Sequence, residues 1–299
     1  MNRLLTTDGN GFFFETTYSD ELEPYDQDIL VETVLTGICR SDIDMMQGYF
    51  ELLPRSMHGH EGLGKVLKIG ENVIDVEVGD IVSTRGEPAY ADRYISKHRE
   101  YVKVPSVDPK YILEPVACAI NIVDYAKYEL KKRQGHGKRL LILGSGFLAW
   151  IVHQTLSLYD LYYDVTIIGN HNHQLWGDLL EKDPTGDYDV VIDLSARLDV
   201  FQSNLLRNEA LVIIGSQKTV TTDFSYFLWK ACTAIFPSPR SENFYYCMSM
   251  AAEWIRLGEL KTDGLWTRGY SRNTEWEKAF EESTTREPGF SRAYIDWRY

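Results

Sequence analysis

Over roughly the first 115 residues the apolar positions come in short β-rich runs, such as Ile29-Leu30-Val31-Glu32-Thr33-Val34 and Gly64-Lys65-Val66-Leu67-Lys68-Ile69-Gly70, punctuated by Gly, Pro and Asp. That pattern predicts a β-dominated domain. From Pro115 the period lengthens. Val116 to Lys132 carries apolar residues at helical spacing, has a basic end, and is broken by His136-Gly137, so a connecting helix is expected there. Arg139-Leu140-Leu141-Ile142-Leu143 reads as a buried strand running into Gly144-Ser145-Gly146-Phe147-Leu148-Ala149, with an apolar helix from Trp150 to Leu158. Further strands fit Val165 to Ile168, Val190 to Asp193 and Leu211 to Ile214, separated by helix-length segments. Alternating strands and helices predict a parallel sheet with right-handed crossovers. From about Arg268 the sequence turns aromatic-rich and irregular, ending in Ala293-Tyr294-Ile295-Asp296-Trp297, and is assigned back to the first domain. The expected class is α/β, with a β-rich domain over 1–117 completed by 268–299, and a doubly wound parallel-sheet domain over 118–267.

Composition narrows the function more than the fold. A chain of 299 residues exceeds what one core usually organises, which agrees with two domains. Hydrophobic residues make up 44% and charged residues 25%, and no stretch approaches the roughly 20 apolar residues that span a bilayer, so no membrane insertion is expected. The start, Met1-Asn2-Arg3-Leu4-Leu5-Thr6-Thr7-Asp8, has no apolar core of a secretory signal, and a cytoplasmic location is the expectation. A formal charge of -13 repels polyanions, and the short Lys131-Lys132-Arg133 does not offset it, which argues against nucleic acid as a partner. Cys39, Cys118, Cys232 and Cys247 form no Cys-x-x-Cys pair, so neither a disulfide framework nor a zinc ribbon is indicated.

Two stretches carry candidate chemistry. A Gly-x-Gly turn between strand and helix lets the backbone approach a pyrophosphate at the helix N-terminus. Gly144 supplies the turn, Gly146 the close approach, and Ala149 the small residue where helix meets strand. Phe147 and Leu148 follow on the same turn, and Asn170, His171 and Gly215 stand just beyond later strands, as candidate cofactor contacts. The strand ending Ile167-Ile168-Gly169-Asn170-His171-Asn172-His173 carries no carboxylate for ribose hydroxyls. That favours NADP, and NAD stays open. The second stretch sets Cys39, in Gly37-Ile38-Cys39-Arg40-Ser41-Asp42, before His60, in His58-Gly59-His60-Glu61-Gly62. A catalytic zinc takes about three N, S or O ligands and keeps one open position.

These residues resemble the zinc-dependent medium-chain dehydrogenase/reductase family, which includes alcohol, sorbitol and glucose dehydrogenases. The match runs through Gly37-x-Cys39-x-Ser41-Asp42, Gly48, Pro54, Gly59-His60-Glu61-x-x-Gly64-x-Val66 and Val78-Gly79-Asp80-Ile81-Val82. It resumes at Ala91-Asp92-Arg93-Tyr94, Val104-Pro105 and Leu113-Glu114-Pro115, and continues past the glycine turn to Val190-Val191-Ile192-Asp193 and Ile213-Ile214-Gly215. The resemblance implies a GroES-like β-rich catalytic domain plus a Rossmann domain, and a nicotinamide-dependent alcohol, polyol or sugar dehydrogenase. It places the first two zinc ligands on Cys39 and His60. Leu113-Glu114-Pro115 looks like the polyol and sugar dehydrogenases, in which Glu114 would be the third. Glu61 would bind the metal or lie just behind it, Ser41 would take the alcohol proton, and Arg40 would contact the cofactor pyrophosphate. Cys118, one helical turn beyond Glu114, is close enough in sequence to be a rival ligand, but is expected to pack between helix and sheet. Relatives assemble as dimers or tetramers, so a homodimer or homotetramer is expected.

Two departures qualify the resemblance. Asp44 stands where several relatives end a proton relay on histidine, and a carboxylate is the poorer acceptor near neutral pH. The cysteine-rich lobe that holds a structural zinc in many relatives is missing, since no cysteine lies between Cys39 and Cys118. One catalytic zinc and no structural zinc is the expectation. The competing readings are a zinc-free quinone or enoyl reductase of the same superfamily and a cofactor-binding protein without turnover.

Overall fold

A computed structural model describes residues 1–19, 21–49, 58–170, 173–181, 184, 186–195, 205–216 and 224–298. Pro54 and His171 therefore lie outside the described residues. The chain divides into two compact units, Met1–Val116 with Met248–Tyr299, and Ala117–Cys247.

In the first unit, β1 (Asn2–Thr7) and β2 (Phe13–Tyr18) form an antiparallel hairpin. The main sheet is built from β3 (Ile29–Gly37), β4 (Gly62–Ile69), β5 (Ile81–Thr84), β6 (Arg93–Ser96), β7 (Tyr101–Val104), β14 (Trp266–Ser271) and β15 (Arg292–Asp296). Its order is β14-β15-β3-β4-β5-β7, with β6 also paired to β3. Only the β14–β15 pair is parallel. β3 sits between neighbours and is buried along almost its whole length, which is why it reads as a nearly continuous apolar run rather than an alternation. Helices α1 (Arg40–Met46) and α7 (Trp276–Thr285) pack over the sheet's end. Leu5, Phe13, Ile38, Ile43, Tyr90, Phe280 and Ile295 share one core there. Phe13 stacks on Phe280 with centroids 4.1 Å apart, and Tyr90 meets both rings edge-on. This aromatic cluster fixes where α1 begins.

The second unit holds β8 (Arg139–Leu143), β9 (Asp164–Ile168), β10 (Leu180–Glu181), β11 (Tyr188–Asp193), β12 (Leu206–Ile214) and β13 (Thr233–Ile235). They form one parallel sheet in the order β10-β9-β8-β11-β12-β13. The two halves wind outward from β8 and β11, so the strand order reverses between them, and in such sheets ligands bind at that point beyond the carboxyl ends of the strands. The helices of this part of the chain are α2 (Glu114–Arg133), α3 (Phe147–Leu158), α4 (His173–Trp176), α5 (Ser225–Trp229) and α6 (Phe244–Leu257). α2 starts with Glu114 and ends with Lys131, Lys132 and Arg133, each end matched to the helix dipole. Inside the sheet, Asp189 of β11 accepts from the Arg139 backbone N–H at 2.9 Å, Lys138 Nζ at 3.0 Å and Arg207 Nη1 at 2.7 Å, tying three strands together.

The GroES-like and Rossmann architecture expected from the sequence is present. The return to the first unit comes at Met248, inside α6, ahead of the Arg268 chosen from the sequence. Helical periodicity marks an apolar face without saying which unit buries it. No helix among the described residues is long and apolar enough to cross a membrane.

Candidate functional site

The strand pairing of the first unit gathers its reactive side chains. β3 ends at Gly37, which pairs with Tyr294 of β15, and Thr36 pairs with Gly62 of β4. Cys39, which follows β3, therefore lies beside His60 and Glu61, which precede β4, and beside Arg292 on β15. Cys39, His60 and Glu61 each present one ligand atom, and these atoms all lie within 4.8 Å of one another. Glu114, 4% exposed, lies outside that group, yet its charge acts on His60 and on Arg292.

Asp42 supports the cysteine and the histidine from behind. It is fully buried, accepts from the Cys39 N–H at 2.9 Å and from the Tyr90 hydroxyl at 2.8 Å, and faces His60 Nδ1 at 3.5 Å. Burial raises the Asp42 carboxyl above its ordinary range, although His60, the Cys39 N–H and Tyr90 oppose the rise. Burial works against a charge on His60, but Asp42, Cys39 and Glu114 outweigh it and lift the imidazole well above its ordinary value. Tyr90 is raised well above the usual phenol range, first by burial and then by Asp42, so it stays protonated as a donor.

Glu61 is divided between two roles. One oxygen pairs with Arg292, whose guanidinium also lies 5.4 Å from the centre of the Trp266 ring. The other, Oε2, is buried without a hydrogen-bond partner among the described residues. A Cβ at Gly37 would overlap that oxygen, so the absence of a side chain at Gly37 is what lets the carboxylate reach its place. Burial opposes charge on Arg292, and Glu61, Cys39 and Glu114 more than offset it, so the guanidinium stays charged.

This donor set fits a divalent cation. Three buried carboxylates, Asp42, Glu61 and Glu114, crowd this corner, and Glu61 is paired with the partly buried guanidinium of Arg292. Taking such charges out of water costs several kcal/mol apiece unless they are paired. Thiolate, imidazole and carboxylate are the ligand types of zinc, and Glu61 brings a buried Oε2 with no hydrogen-bond partner among the described residues.

A second feature lies in the other unit, at the carboxyl end of β8. Gly144 has φ of 116°, a backbone that a side chain would strain, and its N–H donates to the Ile168 carbonyl at 2.7 Å. A Cβ on Gly146 would point into open space. That leaves an uncovered cradle at the N-terminus of α3, as a pyrophosphate requires. Phe147 and Leu148 form the first turn of α3, Asn170 is exposed beyond β9, and the Gly215 N–H donates to the Asp193 carbonyl at 2.9 Å beyond β12.

Comparison with known proteins gives the chain's relatives. Residues 25–107 match the alcohol dehydrogenase GroES-like domain family. D-arabinitol dehydrogenase 1 of Uromyces fabae is 22% identical over 87% of this chain and 88% of its own length. D-arabitol-phosphate dehydrogenase of Enterococcus avium is 24% identical over the same shares. Over residues 25–107 the chain is thus similar to the GroES-like domain of alcohol dehydrogenases, and over most of its length to polyol dehydrogenases. Its fold also superposes on an alcohol dehydrogenase (rspB) from E. coli CFT073, solved with NADH, with a TM-score of 0.82 at 13% identity, covering 99% of each chain.

Sequence reasoning passed over three supports of this site: Asp42, Tyr90 and Arg292. Asp42 had a signal, its fixed place three residues after Cys39. Tyr90 and Arg292 had none, because only strand pairing brings them in. Asp44, on the opposite side of α1, forms an ion pair with Arg40 at 2.8 Å, so the two residues expected to act separately on proton and phosphate hold each other.

Proposed function

We propose that this protein is a zinc-dependent oxidoreductase that moves a hydride between a nicotinamide cofactor and an alcohol or carbonyl, with a polyol or sugar as the substrate class. The observation that carries this reading is the Cys39–His60–Glu61 group, partly buried at Cys39 and His60 and buried at Glu61, with a carboxylate oxygen that has no hydrogen-bond partner among the described residues. Cys39 and His60 would hold the metal with a carboxylate, Glu61 being the one already gathered and Glu114 the one the resemblance assigns. Zinc bound there would supply the Lewis acidity that makes an alcohol a stronger acid near neutral pH.

The chain's own residues do the rest. Asp42 Oδ1 lies 3.5 Å from His60 Nδ1, and this would favour Nε2 as the nitrogen turned toward a metal. Arg292 keeps one oxygen of Glu61 occupied, so the carboxylate presents a single free oxygen. Ser41, in the first turn of α1, would take the hydroxyl proton of the alcohol, and a nicotinamide, when bound, would supply the hydride acceptor. Because Asp44 is held by Arg40, we assign the proton's onward path from Ser41 to solvent. The Gly144–Gly146 turn holds the cofactor's pyrophosphate, and the lack of a carboxylate after Ile168 favours NADP over NAD. We infer a cytoplasmic protein that assembles as a homodimer or homotetramer.

The test is formation of NADPH or NADH at 340 nm across a panel of polyols, sugars and primary alcohols. The reading expects turnover with at least one substrate, abolished in Cys39→Ala. Absence of turnover across the panel, or undiminished turnover in Cys39→Ala, would count against it.

A further inference from the structure

The phosphate-binding turn is held from one side by a residue that the cofactor reading leaves without a task. Trp176 ends α4, is 2% exposed, and donates its indole Nε1 to the backbone carbonyl of Ser145 at 2.9 Å. Ser145 is the middle residue of Gly144-Ser145-Gly146. The indole cannot easily swing away, because Trp150 meets its face at 5.1 Å and 77° and His153 at 5.6 Å and 78°. Both of these lie on α3, the helix the turn leads into.

The consequence follows from peptide geometry. The Ser145–Gly146 bond is trans, so the Ser145 carbonyl and the Gly146 N–H lie in one plane and point in opposite directions. Fixing the carbonyl toward Trp176 fixes the N–H away from it. That N–H has no acceptor among the described residues, and the space over Gly146 is open. A glycine-flanked peptide would otherwise be free to rotate, and an anion would bind only the fraction of turns with the N–H correctly aimed.

We propose that Trp176 is a positioning residue for the dinucleotide: its hydrogen bond to Ser145 presets the peptide plane that aims the Gly146 N–H at a phosphate. This rests on the dinucleotide reading of the turn. Trp176 acts on the phosphates through the backbone, and not on the nucleoside.

The discriminating experiment is isothermal titration of full-length protein and Trp176→Phe with ADP and with adenosine, alongside NADPH and NADH. Losing one hydrogen bond that aligns a charge-accepting donor is expected to weaken ADP and the dinucleotides about five-fold while leaving adenosine unchanged. Equal weakening of ADP and adenosine would mean that Trp176 only packs, and unchanged ADP binding would mean that the bond does not matter; either overturns the proposal alone. Wild-type protein that binds neither ADP nor a nicotinamide dinucleotide would overturn the dinucleotide reading and this proposal with it. If Trp176→Phe does not fold, β-(3-benzothienyl)alanine at position 176 keeps the ring shape without the N–H and gives the same comparison.

Discussion

Asp42 has no exposed surface, and it meets Cys39, His60 and Tyr90 at once. A carboxylate that orients a metal-binding imidazole typically changes metal affinity 10- to 100-fold when removed. Asp42→Asn is therefore expected to weaken zinc binding by roughly 10- to 100-fold, measured by chelator competition, with the far-UV spectrum preserved. Unchanged affinity would show that His60 needs no such support. The proton balance at His60 sets a pH dependence. Its folded-state pKa in metal-free protein lies above that of a free imidazole, so its contribution to stability is complete below about pH 6.5 and is lost as pH rises through the raised value. Metal-free protein is expected to melt lower as pH climbs above the imidazole range. Zinc needs the neutral ring, so its affinity should climb over the same range and reverse the loss. Melting curves with and without added zinc, from pH 6 to pH 9, check both signs.

At the scale of elements, strand pairing and helix contacts decide which local signals become a site. β8, α3 and β9 were readable because each is a continuous apolar run or a clear helical period, bounded by glycine or polar residues. The segments β14, α7 and β15 were read only as one aromatic-rich tail, because the place of the two strands in the sheet appears only through pairing with each other and with β3. The same limit hid Arg292, which reaches Glu61 across 231 residues of sequence. Asp189 offers a test of the parallel sheet. Burial pushes its carboxyl up, but the Arg139 N–H, Lys138 and Arg207 outweigh that and hold it below its ordinary range. Its stabilising effect is then complete above the unfolded value, about 3.9, and is lost as pH falls through the lowered one. Asp189→Asn is expected to lower stability by about 1–2 kcal/mol at pH 7, after allowing for partly exposed cations. The gap from wild type should begin to narrow as pH falls below about 4. Urea unfolding at pH 7 and at pH 3.5 would show it, and a gap that stays constant would contradict this account. In the first unit, Phe280→Ala removes the ring stacked on Phe13 and is expected to cost about 3–5 kcal/mol, read from the same kind of unfolding curve.

For the whole molecule, the sequence made two domains and their classes legible, because a β-rich stretch and an alternating strand–helix stretch bury their apolar residues in different periods. It also made the core of the candidate site legible in Cys39 and His60, whose spacing is local. The choice between Glu61 and Glu114 was not, since it depends on which carboxylate the fold turns toward the cysteine, and Glu61 stands within the gathered group. Zinc content separates the central claim from its alternatives most directly. Elemental analysis of purified protein, with Cys39→Ala and Glu61→Gln prepared in parallel, is expected to find close to one zinc per chain in wild type, close to none in Cys39→Ala and a reduced content in Glu61→Gln. Wild-type protein that holds no zinc, or Cys39→Ala that holds as much as wild type, would contradict the account.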